Sequence, residues 1–492
     1  MITSKLTEIL KSLSEDELKE FEKFIKSPYF NRGRNLLPYF KTFKKFYPEF
    51  IDPSFTKEYL FRKLYPEKGY DPKKSESILS TLNSDLVRML EDFLIYKYLD
   101  REKIKKNLLL NYEFYDRDLN ELADKNKNRI ISELNSRGID EDYFLHTHLF
   151  NSQLADVNIK LRNKDKSFQY EEDGAIYRFL YFFQDLLKRF SVFNVRKKEF
   201  TGPNKAEPMY LFLKQNLDIE KLMEKVRDSK SEYAIIEVYY WWMKSHENYG
   251  NISYYERFKN SVFLNLDKFT HLEKLNLLRN LISFLNISER MGYGNFSGKK
   301  IEVINKMIDN EIYNDVKNSM IYDRIYFEML NSYLESDKII EAEKFIEKYS
   351  EKLEEKIKPD AINQSYALLH FHKRNFNESL HHLTNINNRE FNIKSSLKII
   401  EIMCLYELKG FEQLEYVIAA ARKHLHQNKA ISKSLIATQK NFIGIIEKLI
   451  KCNENNNDDI EIKKIKEDID SSKYIYKKNW LLQKVEELEN HA

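Results

Sequence analysis

Few residues in this 492-residue chain have the types and spacing to do chemistry, and histidine comes first among them. It recurs at intervals of two, as His146 and His148, His370 and His372, and His424 and His426, with His381 beside His382. A helix chelates a metal through ligands four apart. Residues two apart point to nearly opposite sides, so none of these pairs forms a unit site. His246 opens HENYG, where Gly250 occupies the place of the second histidine of a zinc-protease helix. The one glycine cluster, GYGNFSGKK from Gly292 to Lys300, has Tyr293 in place of a phosphate loop's first glycine. Lys300 stands where a Ser or Thr would reach the metal. A helical pattern precedes this cluster, whereas a phosphate loop follows a strand, so it reads as a helix–helix turn. No G-x-S-x-G elbow occurs. These observations propose no nucleophile, metal or cofactor, and the expectation is a protein that is not an enzyme.

Charge offers a second kind of chemistry. Lys and Arg number 81 against 77 Asp and Glu, a net of +4, which gives no global pull toward nucleic acid or acidic lipid. Lys23 to Lys74 is different, with 13 basic residues against 5 acidic. The pair TKEYLFRKLYP and YDPKKSESILSTLNSDLVRML has the shape of a helix-turn-helix, in which Lys73, Lys74, Ser77, Thr81 and Ser84 would face a groove. No glycine-turn hairpin follows to make a wing, and helical lysines mostly form a solvated face.

The elements that would carry these residues are helical throughout. Only 11 Gly and 9 Pro occur, too few for the strand-to-helix turns of an α/β enzyme. Six prolines precede residue 73 and act as punctuation. Ser14 with Glu17 makes a capping box, Ser27-Pro28 ends that helix, Asn35 starts a second, and Tyr47-Pro48 closes it. A third helix ends at Pro66, and Asp71-Pro72 opens a long fourth. The aromatic, basic stretch from Lys26 to Phe50 is thereby accounted for as helix boundaries. Helical periodicity then continues to about residue 200, with breaks expected at Gly138 and Gly174. RKKEFTGPNKAEP, Arg196 to Pro208, reads as a linker. Beyond it come amphipathic segments joined by short turns. YAIIEVYYWWM, from Tyr233, is apolar nearly all round and calls for cover on several sides, or for an aromatic ligand. NENNNDD after Cys452 is a polar link, and Trp480, Leu481 and Val485 are placed to dock a final helix. Cys404 and Cys452 are too few for a disulfide framework, and no apolar run is a signal peptide or a membrane span, so a cytoplasmic protein without membrane partners is expected.

A repeat is visible from Ile321 to Gln427. LNSYLESDKIIEAEKFIEKY, YALLHFHKRNFNESLHHLTNI and IMCLYELKGFEQLEYVIAAA share one plan of helix, polar turn and second helix. Ile339, Phe376 and Phe411 start the second helices, followed at fixed offsets by Ala342, Ser379 and Leu414, then Ile346, Leu383 and Ile418. This resembles the tetratricopeptide repeat, a helix pair of about 34 residues. Leu414 departs from the family's small residue, and its signature Trp is missing. The whole chain, with its SPYFN opening, also resembles a group of bacterial proteins with which no activity is associated. The expected fold is all-α: a proline-punctuated basic helical domain over 1–100, a helical segment over 101–200, a hairpin solenoid over 205–451 and a charged helical tail over 458–492. The resemblance implies a protein-interaction scaffold that holds a protein or peptide on its concave face. Counting back twelve positions puts Leu330, Ala367 and Ile402 in the packing face of the first helices. Arg324, Asn331, Glu335, Gln364, His372, Tyr406 and Glu407 would then face inward and bind the partner. The alternative is a DNA-binding regulator with a repeat sensor.

Overall fold

The computed structural model of the protein describes residues 5–31, 33–199, 205–229, 232–315, 320–387, 391–427, 433–454, 459–472 and 474–490. Part of the expected linker (200–204) and part of the polar link after Cys452 (455–458) lie outside the described residues. Among those described, 24 α-helices form and the β-structure is a single isolated bridge, Ile139 with Phe269. The fold is all-α. The chain divides into two compact units, Met1–Ser136 and Arg137–Ala492.

The first unit contains α1 (Lys5–Ser12), α2 (Glu15–Lys26), α3 (Leu37–Lys44), α4 (Lys57–Leu64), α5 (Pro72–Arg101), α6 (Lys103–Asp116) and α7 (Asn120–Ser136). Ser14 and Glu17 close the capping box of α2 in both directions, and Thr56 and Asp71 cap α4 and α5. Asn35 acts one residue before the cap of α3, its Oδ1 accepting from the Leu37 N–H at 3.2 Å. The short α1 is additional to the four helices read from the prolines. Rings of the aromatic stretch turn inward: Phe40 meets Phe21 edge-on at 5.1 Å, and Phe43 meets Phe55 at 5.1 Å. Tyr39, Phe40, Phe43 and Phe50 are buried, while Tyr29 and Phe30 are exposed. These rings are the core of the unit, which is why apolar residues sit between so many lysines.

The second unit opens with α8 (Tyr143–Lys160), α9 (Lys164–Glu199), α10 (Glu207–Asn216) and α11 (Ile219–Ser229). Gly174 does not break the periodicity as expected; it lies inside the 36-residue α9. At this point α9 packs directly against α8. A Cβ there would stand 3.4 Å from the Asn151 Cβ, and the Gly174 carbonyl lies 2.9 Å from Nδ1 of His148. Gly138 does end a helix. It has φ +79°, and a Cβ on it would stand 3.0 Å from the backbone of Phe269 and Thr270.

Then come α12 (Tyr233–Glu247), α13 (Ile252–Asn265), α14 (His271–Arg290), α15 (Ser297–Asp309), α16 (Asp323–Glu335), α17 (Ile339–Tyr349), α18 (Lys358–His372) and α19 (Phe376–Thr384). They are followed by α20 (Phe391–Glu407), α21 (Phe411–Gln427), α22 (Lys433–Glu454), α23 (Asp459–Ser471) and α24 (Lys478–Glu489). From α12 to α24 every helix packs on the next. The even-numbered helices also meet one another, α12 with α14, α16 with α18, α18 with α20, and α22 with α24. Adjacent helices thus pack as hairpins, and the even helices meet in the runs α12–α14, α16–α18–α20 and α22–α24, while α9 packs on α22 as well as on α12. In α12 the apolar side chains Ile236, Val238, Tyr239 and Trp242 are buried, so the aromatic run there is core.

One turn recurs. Asp118, Arg162, Gly292, Asp337, Arg374 and Lys409 all take a left-handed φ, between +56° and +82°. In each case the next residue's N–H reaches back to the carbonyl five residues before it, at 2.8–3.0 Å (Lys338 to Tyr333, Asn375 to His370, Gly410 to Leu405, for example). This is the bond that closes a helix whose last residue turns left-handed. Five positions past the left-handed residue stand Ala123, Ser167, Ser297, Ala342, Ser379 and Leu414, all buried. Twelve before those stand Asn111, Ala155, Leu285, Leu330, Ala367 and Ile402, also buried. Ser167 and Ser379 each donate their hydroxyl to the facing carbonyl, of Ala155 at 2.9 Å and of Ala367 at 2.7 Å. The same turn and the same pair of buried positions thus recur at α14–α15, α8–α9 and α6–α7.

Candidate functional site

The even helices present polar side chains in a row. Asn286 of α14 donates to Glu328 of α16 at 2.9 Å. Farther along α16, Glu335 receives Lys477 at 3.1 Å and Lys300 at 3.6 Å. Lys300, the residue that ends the glycine cluster, is buried and also holds Glu289 at 2.6 Å. Two clefts open along this row.

The first cleft has a volume of about 630 Å³. It is lined by Glu335, His372 and Glu407 from α16, α18 and α20, by Gly292, Gly294 and Asn295 of the glycine-rich turn, and by Tyr476, Lys477 and Trp480. Burial alone would raise the Glu335 carboxyl, but Lys477 and Lys300 outweigh it and hold the group at about 2. Burial, aided by Lys477, pushes His372 down to about 4, so it is neutral at pH 7. Glu407 accepts from Nε1 of Trp480 at 2.8 Å and pairs with the buried Lys484 at 2.8 Å. The Tyr406 ring is buried against Trp480, with ring centroids 5.7 Å apart. Leu481 and Val485 are fully buried, so the C-terminal helix docks through the residues expected of it.

The second cleft, of about 420 Å³, lies between α14 and α16 and is closed on one side by Val195 of α9. Arg324 lines it together with Arg279, Asn280, Ser283 and Met329.

The seven inward residues expected from the repeat thus separate. Glu335, His372 and Glu407 share the first cleft, and Arg324 belongs to the second. Tyr406 is packed into the wall, while Asn331 and Gln364 are half-buried on α16 and α18. Lys477 and Arg279 carry no sequence signal of their role; Lys477 meets Glu335 across 142 positions. In the first unit, Lys73, Lys74, Ser77, Thr81 and Ser84 are all exposed on α5. The hydroxyls of Thr81 and Ser84 bond back to the carbonyls four residues earlier, and the Lys74 N–H is held by Asp71.

The histidines are used in packing. His148 accepts from Arg178 at 2.8 Å, and His246 is buried against Phe284 with its acidity shifted to about 3 by burial. The side chains of His424 and His426 lie outside the described residues. Cys404 and Cys452 are free and buried. Burial lifts the Cys404 thiol to about 11, which leaves it protonated and unreactive at neutral pH. No helix among the described residues is long and apolar enough to cross a membrane.

No protein-family model, curated protein or solved structure matches the chain.

Proposed function

We propose that the protein is a non-enzymatic interaction scaffold, cytoplasmic in location, that holds a protein or peptide partner along the even helices. The hairpins are tetratricopeptide-like in this reading, with units that have diverged outside 321–427. The observation that supports it most is the coincidence of two patterns. Each helix from α12 to α24 packs on the next, and the even helices carry Glu335 and His372 in the lining of an open cleft, with Asn331 and Gln364 half-buried on the same helices. Partner segments laid along such a face find hydrogen-bonding groups at regular intervals, which suits an extended or helical peptide.

The C-terminal segment already occupies part of the cleft. Glu335, Tyr406 and Glu407 therefore serve internal contacts, and the partner must use Asn331, Gln364, His372 and the rim residue Arg374. Affinity capture with the full chain tests this reading, comparing the wild type with Asn331→Ala, Gln364→Ala and Arg374→Ala combined. A stoichiometric partner lost from the variant at unchanged melting temperature supports it. Equal capture by the variant, or by residues 1–136 alone, refutes it.

A second reading is a DNA-binding regulator, favoured by the exposure of Lys73, Lys74, Ser77, Thr81 and Ser84 along one helix. A duplex shift that falls steeply with salt and disappears in Lys73→Glu/Lys74→Glu would promote it.

A further inference from the structure

The second cleft carries an inference that goes beyond partner binding. Arg279 on α14 and Arg324 on α16 both line it. Among the described residues, neither guanidinium has a carboxylate within ion-pairing distance. The buried lysines of the same unit differ: Lys259, Lys300 and Lys484 each hold at least one carboxylate. Partial desolvation at the base of its otherwise exposed side chain lowers the pKa of Arg279, and the nearby charge of Arg324 lowers it further. The two cations therefore repel each other across the opening, an effect that Tyr322 beside Arg279 and Glu328 near Arg324 offset only in part. Glu328 sits in the same lining, but it is hydrogen-bonded by Asn286 and its carboxyl is raised by burial, which weakens its claim as the missing counter-charge.

The floor of the cleft is apolar, while Asn276, Asn280, Ser283, Asn286 and Arg290 add polar groups to its lining. Ile282, Met307, Ile325 and Met329 are buried beneath it, and Val195 closes one side. The volume, about 420 Å³, is that of a small-molecule site rather than a peptide groove. Two unpaired guanidiniums over an apolar floor match a ligand with a doubly charged oxyanion at one end and a compact apolar body at the other. Arginine's planar fork binds phosphate through two parallel hydrogen bonds, each strengthened by charge. We propose that the cleft between α14 and α16 binds an amphipathic phosphate monoester, its phosphate between Arg279 and Arg324 and its apolar body over Ile325 and Met329.

Phenyl phosphate is the simplest probe. Calorimetric titration into the full chain should give saturable binding with a dissociation constant on the order of 0.1–1 mM, a modest efficiency for a ligand of this size. Inorganic phosphate and phenylacetate should each bind at least about tenfold more weakly, the first for lack of an apolar body and the second for lack of a second charge. Arg279→Ala and Arg324→Ala should each weaken phenyl phosphate by about 10- to 100-fold, the loss expected for hydrogen bonds to a charged group. Both arginines are exposed, so the variants keep the fold, and an unchanged melting temperature verifies this. No binding of phenyl phosphate at 10 mM (about ten times the weakest expected constant), or equal binding by the double alanine variant, overturns the proposal. Inorganic phosphate binding as tightly as the ester overturns the amphipathic assignment. Equal binding of phenylacetate overturns the assignment to a dianion.

Discussion

Removing the charge of Glu407 should loosen α24 without unfolding the array. Glu407 accepts from Trp480 and pairs with Lys484, whose side chain is 3% exposed. Breaking a buried ion pair by deleting one partner costs about 3–5 kcal/mol, because the remaining charge is left uncompensated. Lys484 keeps a second partner, Glu487 at 2.7 Å, but that carboxylate is 45% exposed and recovers only part of the loss. Glu407→Gln preserves the shape and an acceptor for Trp480, so the expected cost is about 2–3 kcal/mol. The cost falls on the docking of α24. Hydrogen exchange reads such local opening directly, and amides of α24 should exchange about 30- to 150-fold faster while those of α12–α16 are unchanged. Glu487→Gln should change α24 less than about fivefold, as an exposed pair warrants. Glu407→Gln combined with Lys484→Met should exchange more slowly than Glu407→Gln alone, because no buried charge is left unpaired. Exchange within about threefold of wild type in Glu407→Gln would refute the reasoning.

Acidification should destabilise the second unit in two stages. His372 titrates near 4 in the fold and near 6.5 unfolded, so the unfolded chain takes up its proton first. Its contribution is complete above about pH 6.5 and declines toward pH 4, and urea midpoints for His372→Gln should be flatter across that window. Glu335, held at about 2, contributes fully above about pH 4.3 and loses its contribution only below that, as the pH falls toward 2. Gly138→Ala should cost about 2 kcal/mol or more, since it forces a side chain into a left-handed backbone against Phe269. Gly444→Ala, in α22 with nothing within 4 Å, should stabilise by up to about 1 kcal/mol in thermal unfolding. Ala155→Leu, Ala342→Leu and Ala367→Leu should each cost about 1–3 kcal/mol, because all three occupy the same close approach between paired helices.

The helical class was legible because it follows from local chemistry. Ser14, Thr56 and Asp71 cap the helices they were expected to begin, and Ile339, Phe376 and Phe411 are the first residues of α17, α19 and α21. The hairpins outside 321–427 were hidden because the left-handed residue can be of any type, Asp118, Arg162 or Gly292 as much as Asp337, Arg374 or Lys409, and only the last three recur at a near-constant spacing. Gly174 misled because a glycine in mid-helix looks the same in sequence as one at a break. The inward face was legible to the extent that helical offsets determine it, which brought Glu335, His372 and Glu407 to one cleft. What those offsets could not give was Lys477, Trp480 and Lys484 meeting that face from the far end of the chain. Long-range pairings leave no periodicity, and they decide which polar residues are spent internally. Arg279 was missed likewise, because its significance lies in having no counter-charge, a property of the fold alone.

Site-specific photo-crosslinking in cells tests the central claim most directly. A photoreactive residue placed at Asn331 or Gln364, on the even helices, is compared with one at Ile340 or Tyr416, which are 64% and 75% exposed on α17 and α21. The scaffold account predicts one discrete protein adduct from Asn331 and Gln364 and none from Ile340 and Tyr416. Adducts from Ile340 and Tyr416 alone, or from no position in α12–α24, would contradict it.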